Sequence, residues 1–225
     1  MTASEREAKL ERIYANRFTR SEREIKRRLW KATIDGFFGR YIPPDGTVLE
    51  LGAGYCDFIN QIKAARRIAV DLNPETSRSA ANGVEVHRIP LDQVGQAVPP
   101  NSVDLVFASN VLEHLRGPDV LLDVLNAVFV ALKPNGRIVV LQPNIRAVGI
   151  AFWDFCDHTL PLTEKGMNEA FEVAGFDVVE CRARFLPYTT KSRLPKSPGL
   201  IRLYLACPPL HWIFGGQMLV VGRKP

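Results

Sequence analysis

The sequence predicts an α/β protein: a doubly wound, mostly parallel seven-stranded sheet with helices on both faces. Three observations predict it. Short apolar runs alternate with helical patterns through the middle of the chain, which is how a parallel sheet is buried on both sides. The run Val48-Leu-Glu-Leu51 leads into two glycines one residue apart, Gly52 and Gly54, as when a buried strand turns tightly into the next element. A second run, Arg67-Ile-Ala-Val-Asp71, ends in a carboxylate about 20 residues past that loop, where such folds place an acid on ribose hydroxyls.

Taken in order, residues 3–32 carry dense mixed charge around sparse apolar residues: Leu10, Ile13, Tyr14, Phe18, Ile25, Leu29 and Trp30. Spacings of three, four and seven fit helices with a narrow apolar stripe. Residues 1–42 are therefore expected to form an N-terminal helical arm, either packed over the cleft or simply extended. The remainder, 43–225, is expected to form one domain. Its strands are expected at 47–51, 67–71, 84–88, 103–108, 137–142, 175–181 and 217–222. Its helices are expected at 56–64, 75–81, 118–132 and 163–174. Lys133-Pro-Asn-Gly136 is a helix stop and turn signal.

Length and composition bound the function. A chain of 225 residues that is 46% hydrophobic can bury a sizeable core as one domain with appendages. Four cysteines, Cys56, Cys156, Cys181 and Cys207, are widely spaced without a C-x-x-C pair. They read as reduced, mostly buried thiols of a cytoplasmic protein, and no zinc framework is implied. The net charge of +5 is uneven, with eight Lys or Arg and no Asp or Glu from Cys181 onward. Such a stretch is either a solvated basic face or a surface that meets an anion.

The glycine loop narrows the ligand. A dinucleotide loop carries a third glycine to admit a pyrophosphate. Here Asp57 stands three residues after Gly54, and carboxylates at Asp57 and Glu50 would repel phosphate. They suit a cofactor with positive charge, such as the ammonium and sulfonium of S-adenosylmethionine.

At this point the chain resembles the class I S-adenosylmethionine-dependent methyltransferases, over about residues 45 to 180. Glu50-Leu-Gly-Ala-Gly54 is similar to the glycine loop of that family. Asp71 resembles its ribose-binding acid. Ser102-Val-Asp-Leu-Val-Phe-Ala-Ser-Asn-Val-Leu-Glu-His-Leu115 resembles its fourth strand and following helix, and Leu132-Lys-Pro-Asn-Gly-Arg-Ile-Val-Val-Leu141 its turn and fifth strand. The family's third glycine is Cys56 here, and its Gly-Asp before the adenine site reads Ile89-Pro90, with Asp92 two residues on. The resemblance implies S-adenosylmethionine as cofactor, held by Glu50, Gly52, Gly54, Asp71, Leu72, Asp92 and Asn110. It also implies that the last two strands pair antiparallel at the sheet edge.

Several of these residues have a second reading. Glu50 either holds the ammonium or caps the segment behind the loop. Asp71 either accepts from ribose or, like Asn73, caps a helix starting at Pro74. Asp92 serves adenine or a turn. Asn110 meets ligand, or caps a helix with Glu113 completing a capping box. On the acceptor side stand His114, Trp153 and Arg146, with Phe152 and Phe155 as further aromatics. His158 is the histidine best placed for acceptor contact or proton removal. The chemistry asks for alignment of nucleophile and methyl group, and for no metal.

The insertion 183–216 is the part the family core does not explain. It combines Arg184, Lys191, Arg193, Lys196 and Arg202 with an uncharged aromatic stretch, and residues 203–222 carry no charge. That length invites a membrane span, but Pro208-Pro209 and Gly215-Gly216 interrupt it. A lid or a peripheral membrane element at 184–214 is expected instead. The acceptor is expected to be small or lipid-linked and anionic, methylated at oxygen. Nucleic acid is disfavoured, because Ser109-Asn-Val-Leu112 follows strand four in place of an Asn/Asp-Pro-Pro-aromatic tetrapeptide. The alternatives are a non-catalytic cofactor-binding module and an enzyme acting on RNA or protein.

Overall fold

Seven strands form one sheet in the order β3-β2-β1-β4-β5-β7-β6. They are β1 (Thr47–Leu51), β2 (Arg66–Val70), β3 (Val84–His87), β4 (Val103–Ser109), β5 (Leu132–Pro143), β6 (Asp177–Arg182) and β7 (Gln217–Arg223). The computed structural model describes residues 20–188 and 197–225. The first five strands pair parallel, and β7 runs antiparallel to both β5 and β6. β6 and β7 therefore pair antiparallel at the sheet edge, as the resemblance implies. Strand order turns back between β1 and β4, and in open α/β sheets ligands bind outside the strand ends at such a switch point.

The helices are α1 (Arg20–Gly36), α2 (Pro74–Ser79), α3 (Pro118–Ala131), α4 (Ile145–Val148), α5 (Glu164–Val173), α6 (Pro198–Ala206) and α7 (Pro208–Phe214). Pro74 and Pro118 open α2 and α3, where the missing N–H of proline costs no intrahelical bond. Alternate strand residues face opposite ways, so the sheet divides the core in two. On one face Leu49, Leu51, Ile68, Val106 and Val140 meet Leu121, Leu125 and Val128 of α3 and Met167 and Phe171 of α5. On the other, Val48, Ala69, Leu105, Phe107 and Leu219 meet Ile34 of α1 and Tyr204 and Leu205 of α6.

The second face is an aromatic block. Phe107 of β4 stacks on Phe58 with ring centroids 3.8 Å apart, and Phe38 stands edge-on to it at 5.2 Å. Trp30 of α1 leans on Phe107 at 5.8 Å and on Phe58 at 6.1 Å. This contact seats α1 on the sheet. Ile25 and Leu29 of the expected stripe are half-buried on α1, while Leu10, Ile13, Tyr14 and Phe18 lie outside the described residues.

Expectations are corrected at two points, the 56–64 helix and the cysteines. No α-helix spans 56–64; turns lead to a 3₁₀ turn at Ile59–Gln61. Cys56 adopts φ +58, a left-handed conformation that breaks a helical ladder at its start. The helix stop and turn expected at Lys133-Pro-Asn-Gly136 is present: α3 ends at Ala131, and the tetrapeptide is looped out near the start of β5. Pairing with β4 jumps from Val103↔Leu132 to Leu105↔Arg137, with Asn135 at φ +64. The cysteines are free, but only Cys56 is buried; Cys156 and Cys181 are exposed and Cys207 is intermediate, because they lie on a rim turn, an edge strand and a surface helix junction.

The insertion is also more embedded than a lid. Tyr204 and Leu205 are buried, the Tyr204 hydroxyl donates to the Phe185 carbonyl at 2.5 Å, and Leu205 reaches within 3.1 Å of where a Cβ on Gly36 would stand. No helix among the described residues is long and apolar enough to cross a membrane.

Phe107 is fully buried and touches three rings. Phe107→Ala should cost about 3–5 kcal/mol, the usual range for emptying such a site. Urea unfolding monitored by Trp fluorescence measures it; a loss within experimental error would mean the aromatic block does not hold α1 to the sheet.

Candidate active site

The glycine loop after β1 sits at the switch point and is fixed from three sides. Gly52 and Gly54 have φ +65 and +51, which glycine adopts without steric cost. A Cβ on Gly52 would fall 2.3 Å from Cγ2 of Val111, so the loop backbone lies directly against the segment after β4. Asp71, just beyond β2, ties the loop from the side. Its Oδ2 accepts the Gly54 N–H at 2.7 Å and its Oδ1 accepts the Asn73 N–H at 2.8 Å. Thr76 donates from Oγ1 to the Gly54 carbonyl at 2.8 Å. Asn73, not Asp71, caps α2, accepting the Glu75 N–H at 3.0 Å. Leu72 lies half-buried between them.

Glu50 shares the sheet face of Val48 and lies under the loop. Its Oε2 accepts the Ile59 N–H at 3.0 Å. The carboxylate therefore does brace the segment behind the loop, through one backbone bond to a 3₁₀ turn. Three carboxylates converge here. Burial pushes Glu50 well above the usual carboxylate range, with the Ile59 bond pulling the other way and the charges of Asp57 and Asp71 adding to the rise. Burial likewise raises Asp57 against its cationic neighbours, and raises Asp71 against its hydrogen bonds to Asn73 and Gly54. Cys56, enclosed beside them, is pushed up to about 12, by burial first and then by Glu50. It is a structural thiol rather than a nucleophile.

α1 supplies the nearest opposing charge. Lys26 lies 3.5 Å from Asp57, the Arg23 guanidinium sits 4.5 Å over the Tyr55 ring, and Gln61 donates to the Arg27 carbonyl at 3.1 Å. The helix thus lies along the glycine loop.

The β4 end forms the opposite wall. Asn110 is exposed at φ +51, donates its N–H to the Leu141 carbonyl at 2.9 Å, and reaches its own neighbour Ser109 through Nδ2 at 3.1 Å. The expected capping box is not formed. Val111 occupies the cap of the short 3₁₀ turn Leu112–His114, without a side-chain bond, since a left-handed Asn110 cannot present its amide to that turn. Glu113 instead points inward and is 1% exposed. Its carbonyl accepts the N–H groups of Thr159 and Leu160 at 2.8 and 3.0 Å, which lashes the 157–160 loop to this wall. His158 on that loop is 8% exposed. Its ring stacks on Phe155 at 4.9 Å, lies 4.8 Å from Phe152 and 4.9 Å from His114.

The remaining expected residues are dispersed. Trp153 is 55% exposed on the 3₁₀ turn Gly149–Asp154. Arg146 is exposed on α4, with Nε 4.0 Å from Glu164. Asp92 is exposed at the first turn of the 3₁₀ segment Leu91–Gln96. Two residues were not singled out by sequence reasoning as site groups. Glu113 read as a cap. Gln142, at the end of β5, is 1% exposed, and neither amide atom has a hydrogen-bond partner among the described residues. A lone amide ending the apolar run Ile138-Val-Val-Leu141 was the available signal.

The buried acids set a pH dependence. A carboxyl group with a higher pKa in the native state than in the unfolded one binds its proton more readily when folded. Stability therefore falls as pH rises from the ordinary value, 4.5 for Glu50, through the raised native one. The ligand-free protein should lose melting temperature across that window, and Glu50→Gln should flatten the decline. A wild-type profile that rises with pH over the same window would contradict the burial argument.

Comparison with known proteins bears on the fold and the family. Residues 20–181 match a family model described as a methyltransferase domain. Among solved structures, an S-adenosylmethionine-dependent methyltransferase from Archaeoglobus fulgidus superposes with TM-score 0.65 at 20% identity, covering 88% of this chain and 94% of that one. One from Thermotoga maritima gives 0.68 at 16% identity, covering 95% and 99%, and one from Mesorhizobium loti gives 0.61 at 17%, covering 86% and 98%. No curated protein matches the sequence. At these identities the structures speak for the fold, and the family model covers most of the chain. The chain belongs to the methyltransferase domain family, and its fold is that of the S-adenosylmethionine-dependent methyltransferases it superposes on.

Proposed function

We propose that the protein methylates an oxygen of a small or lipid-linked anionic metabolite. When bound, S-adenosylmethionine supplies a methyl group on a sulfonium that is already a good leaving group. The chain must hold that cation, align the acceptor and exclude water. Its donor set fits the first task. Glu50, Asp57 and Asp71 concentrate buried negative charge around the loop, which a cationic ligand would relieve and a pyrophosphate would worsen. Asp71 already accepts from Gly54, Asn73, Leu72 and Thr76, so ribose hydroxyls binding there would share its oxygens with those donors or displace them.

The observation that carries the acceptor class is an apolar rim at the ligand end of the sheet. β7 is antiparallel, so its first residue, Gln217, pairs with Pro143 at the end of β5. The preceding helix α7 therefore arrives beside the site. There Trp212 is 71% and Ile213 67% exposed, with Phe214 and Leu203 also exposed. Gly216 packs against α4, with the Val148 Cγ1 3.1 Å from where its Cβ would stand, and Ile150 and Trp153 are exposed just beyond. Basic residues border this rim, in part committed elsewhere. Arg184 donates to the Trp212 and Gly215 carbonyls, Arg202 is 3.9 Å from Asp35, and Arg182 bonds Glu180 at 2.7 Å. Lys191, Arg193 and Lys196 lie outside the described residues. An apolar rim beside cations suits an acceptor with an apolar body and an anionic head, met at a membrane surface.

Three measurements test this reading. S-adenosylhomocysteine should raise the melting temperature, as any ligand specific to the native state does, and NAD should not. Asp71→Ala should weaken binding at least tenfold, since each charge-assisted hydrogen bond is worth about 1.5–3 kcal/mol. Unchanged affinity by calorimetry would confine Asp71 to bracing the loop. For the acceptor, the protein should sediment with anionic but not neutral liposomes at low salt, and Trp212→Ala with Ile213→Ser should weaken that. Protein left in the supernatant with both lipids would rule out the membrane arm and leave a soluble anionic acceptor.

A further inference from the structure

We propose that Glu113, His114 and His158 form a binding site for a first-row divalent transition ion of the zinc class, on the acceptor side of the cleft. One carboxylate oxygen and two imidazole nitrogens from these residues lie within 4.8 Å of one another. Ligand atoms around a tetrahedral zinc stand about 3.4 Å apart, given bond lengths near 2.0–2.1 Å. Small side-chain rotations close the difference. The donor set is two imidazoles and one carboxylate, which suits zinc, iron or nickel better than magnesium or calcium.

Three further observations make this a built site rather than a chance cluster. First, two of the three ligands are almost fully buried, in a wall that also holds Leu112, Leu160 and Phe152. Second, His114 is oriented from behind. Its Nδ1 lies 3.0 Å from the Asp157 carbonyl and 3.4 Å from the Asp157 carboxylate. Such an outer contact is what a ligating histidine makes through one ring nitrogen while the other meets an ion. Third, the loop that carries His158 is fastened to the turn that carries Glu113. Besides the Thr159 and Leu160 N–H bonds to the Glu113 carbonyl, Thr159 Oγ1 donates to the Leu115 carbonyl at 2.7 Å. Ligands from separate segments are thereby held in register by backbone bonds.

The position gives the site a use. Glu113 stands two residues after Val111, against which Gly52 of the cofactor loop packs. An ion with an open coordination position there would polarise an acceptor hydroxyl and ease its loss of a proton to water. This assignment replaces the proton-acceptor role that the sequence suggests for His158, because a nitrogen that ligates an ion cannot also take the acceptor's proton. The ion's use in catalysis rests on the methyl-transfer reading above; its binding does not.

The test uses the full-length protein, stripped with EDTA and dialysed against ZnCl₂ or MgCl₂. Metal content by mass spectrometry should show one zinc per chain and no retained magnesium. Cobalt(II) in place of zinc should give visible bands without the thiolate charge-transfer band that the free cysteines would produce. His114→Ala, His158→Ala and Glu113→Gln should each lower zinc affinity at least tenfold. His114 is the most exposed of the three, so its variant keeps the test open should a buried substitution fail to fold. No zinc on the wild-type protein, a thiolate band, or affinity unchanged in a folded His114→Ala each overturns the site. Zinc bound with no melting shift from S-adenosylhomocysteine would uphold the site and count against the methyl-transfer reading. A normal shift with no zinc would do the reverse.

Discussion

The hydrogen bond from the Gly54 N–H to the Asp71 carboxylate, 2.7 Å long and buried, is the contact on which the site depends. It joins the loop after β1 to the end of β2, two strands that pair in register from Thr47↔Arg66 to Leu51↔Val70. The bond is one of four that reach this carboxylate, with Asn73, Thr76 and Leu72 supplying the others. Gly52, pressed against Val111, then fixes the loop to the far wall. Two backbone positions without a Cβ thus set the width of the cleft. A loop so held needs little reorganisation to bind, which is where preorganised sites gain affinity.

The negative charge gathered at that loop would be costly if nothing opposed it. Desolvation raises Glu50, Asp57 and Asp71 together, so the ligand-free site carries an unfavourable energy that a cation relieves. α1 provides a partial answer through Lys26, and Trp30 holds the helix where that charge is useful. The helix at Arg20–Gly36 is therefore part of the electrostatics of the site, in line with the first of the two readings its mixed-charge sequence offers. α6 secures it from outside, with Leu205 packed close over Gly36.

The two walls of the cleft differ in kind. The cofactor wall is backbone and carboxylate, locked by short bonds between β1 and β2. The acceptor wall is aromatic and imidazole, built from the β4 turn and a loop after β5 that reaches back to it through the Glu113 carbonyl. Beyond it the rim opens into exposed Trp153, Trp212 and Ile213. A narrow polar slot thus stands beside a broad apolar margin.

Much of this was legible in the sequence because local patterns carry it. Strand positions follow from apolar runs, and every expected strand is present to within a few residues apart from the longer β5. Gly52, Gly54 and Asp71 could be found because a left-handed turn and a strand-end acid leave marks on neighbouring residues. What the sequence could not decide depends on contacts between distant segments. It left Asp71 and Asn73 as rival caps, and only the packed loop shows Asn73 capping α2 while Asp71 bonds Gly54. It offered Asn110 and Glu113 as a capping box, but the left-handed backbone at Asn110 follows from its bond to Leu141 on the next strand. It read 56–64 as a helix because propensity does not register the tertiary hold on Cys56. Glu113, His114 and His158 are separated by more than forty residues at their widest, and only the docking of the 157–160 loop brings them within reach of one ion. Periodicity records which face of an element is buried. It cannot record which buried polar groups meet, and that is what the tertiary structure alone decides.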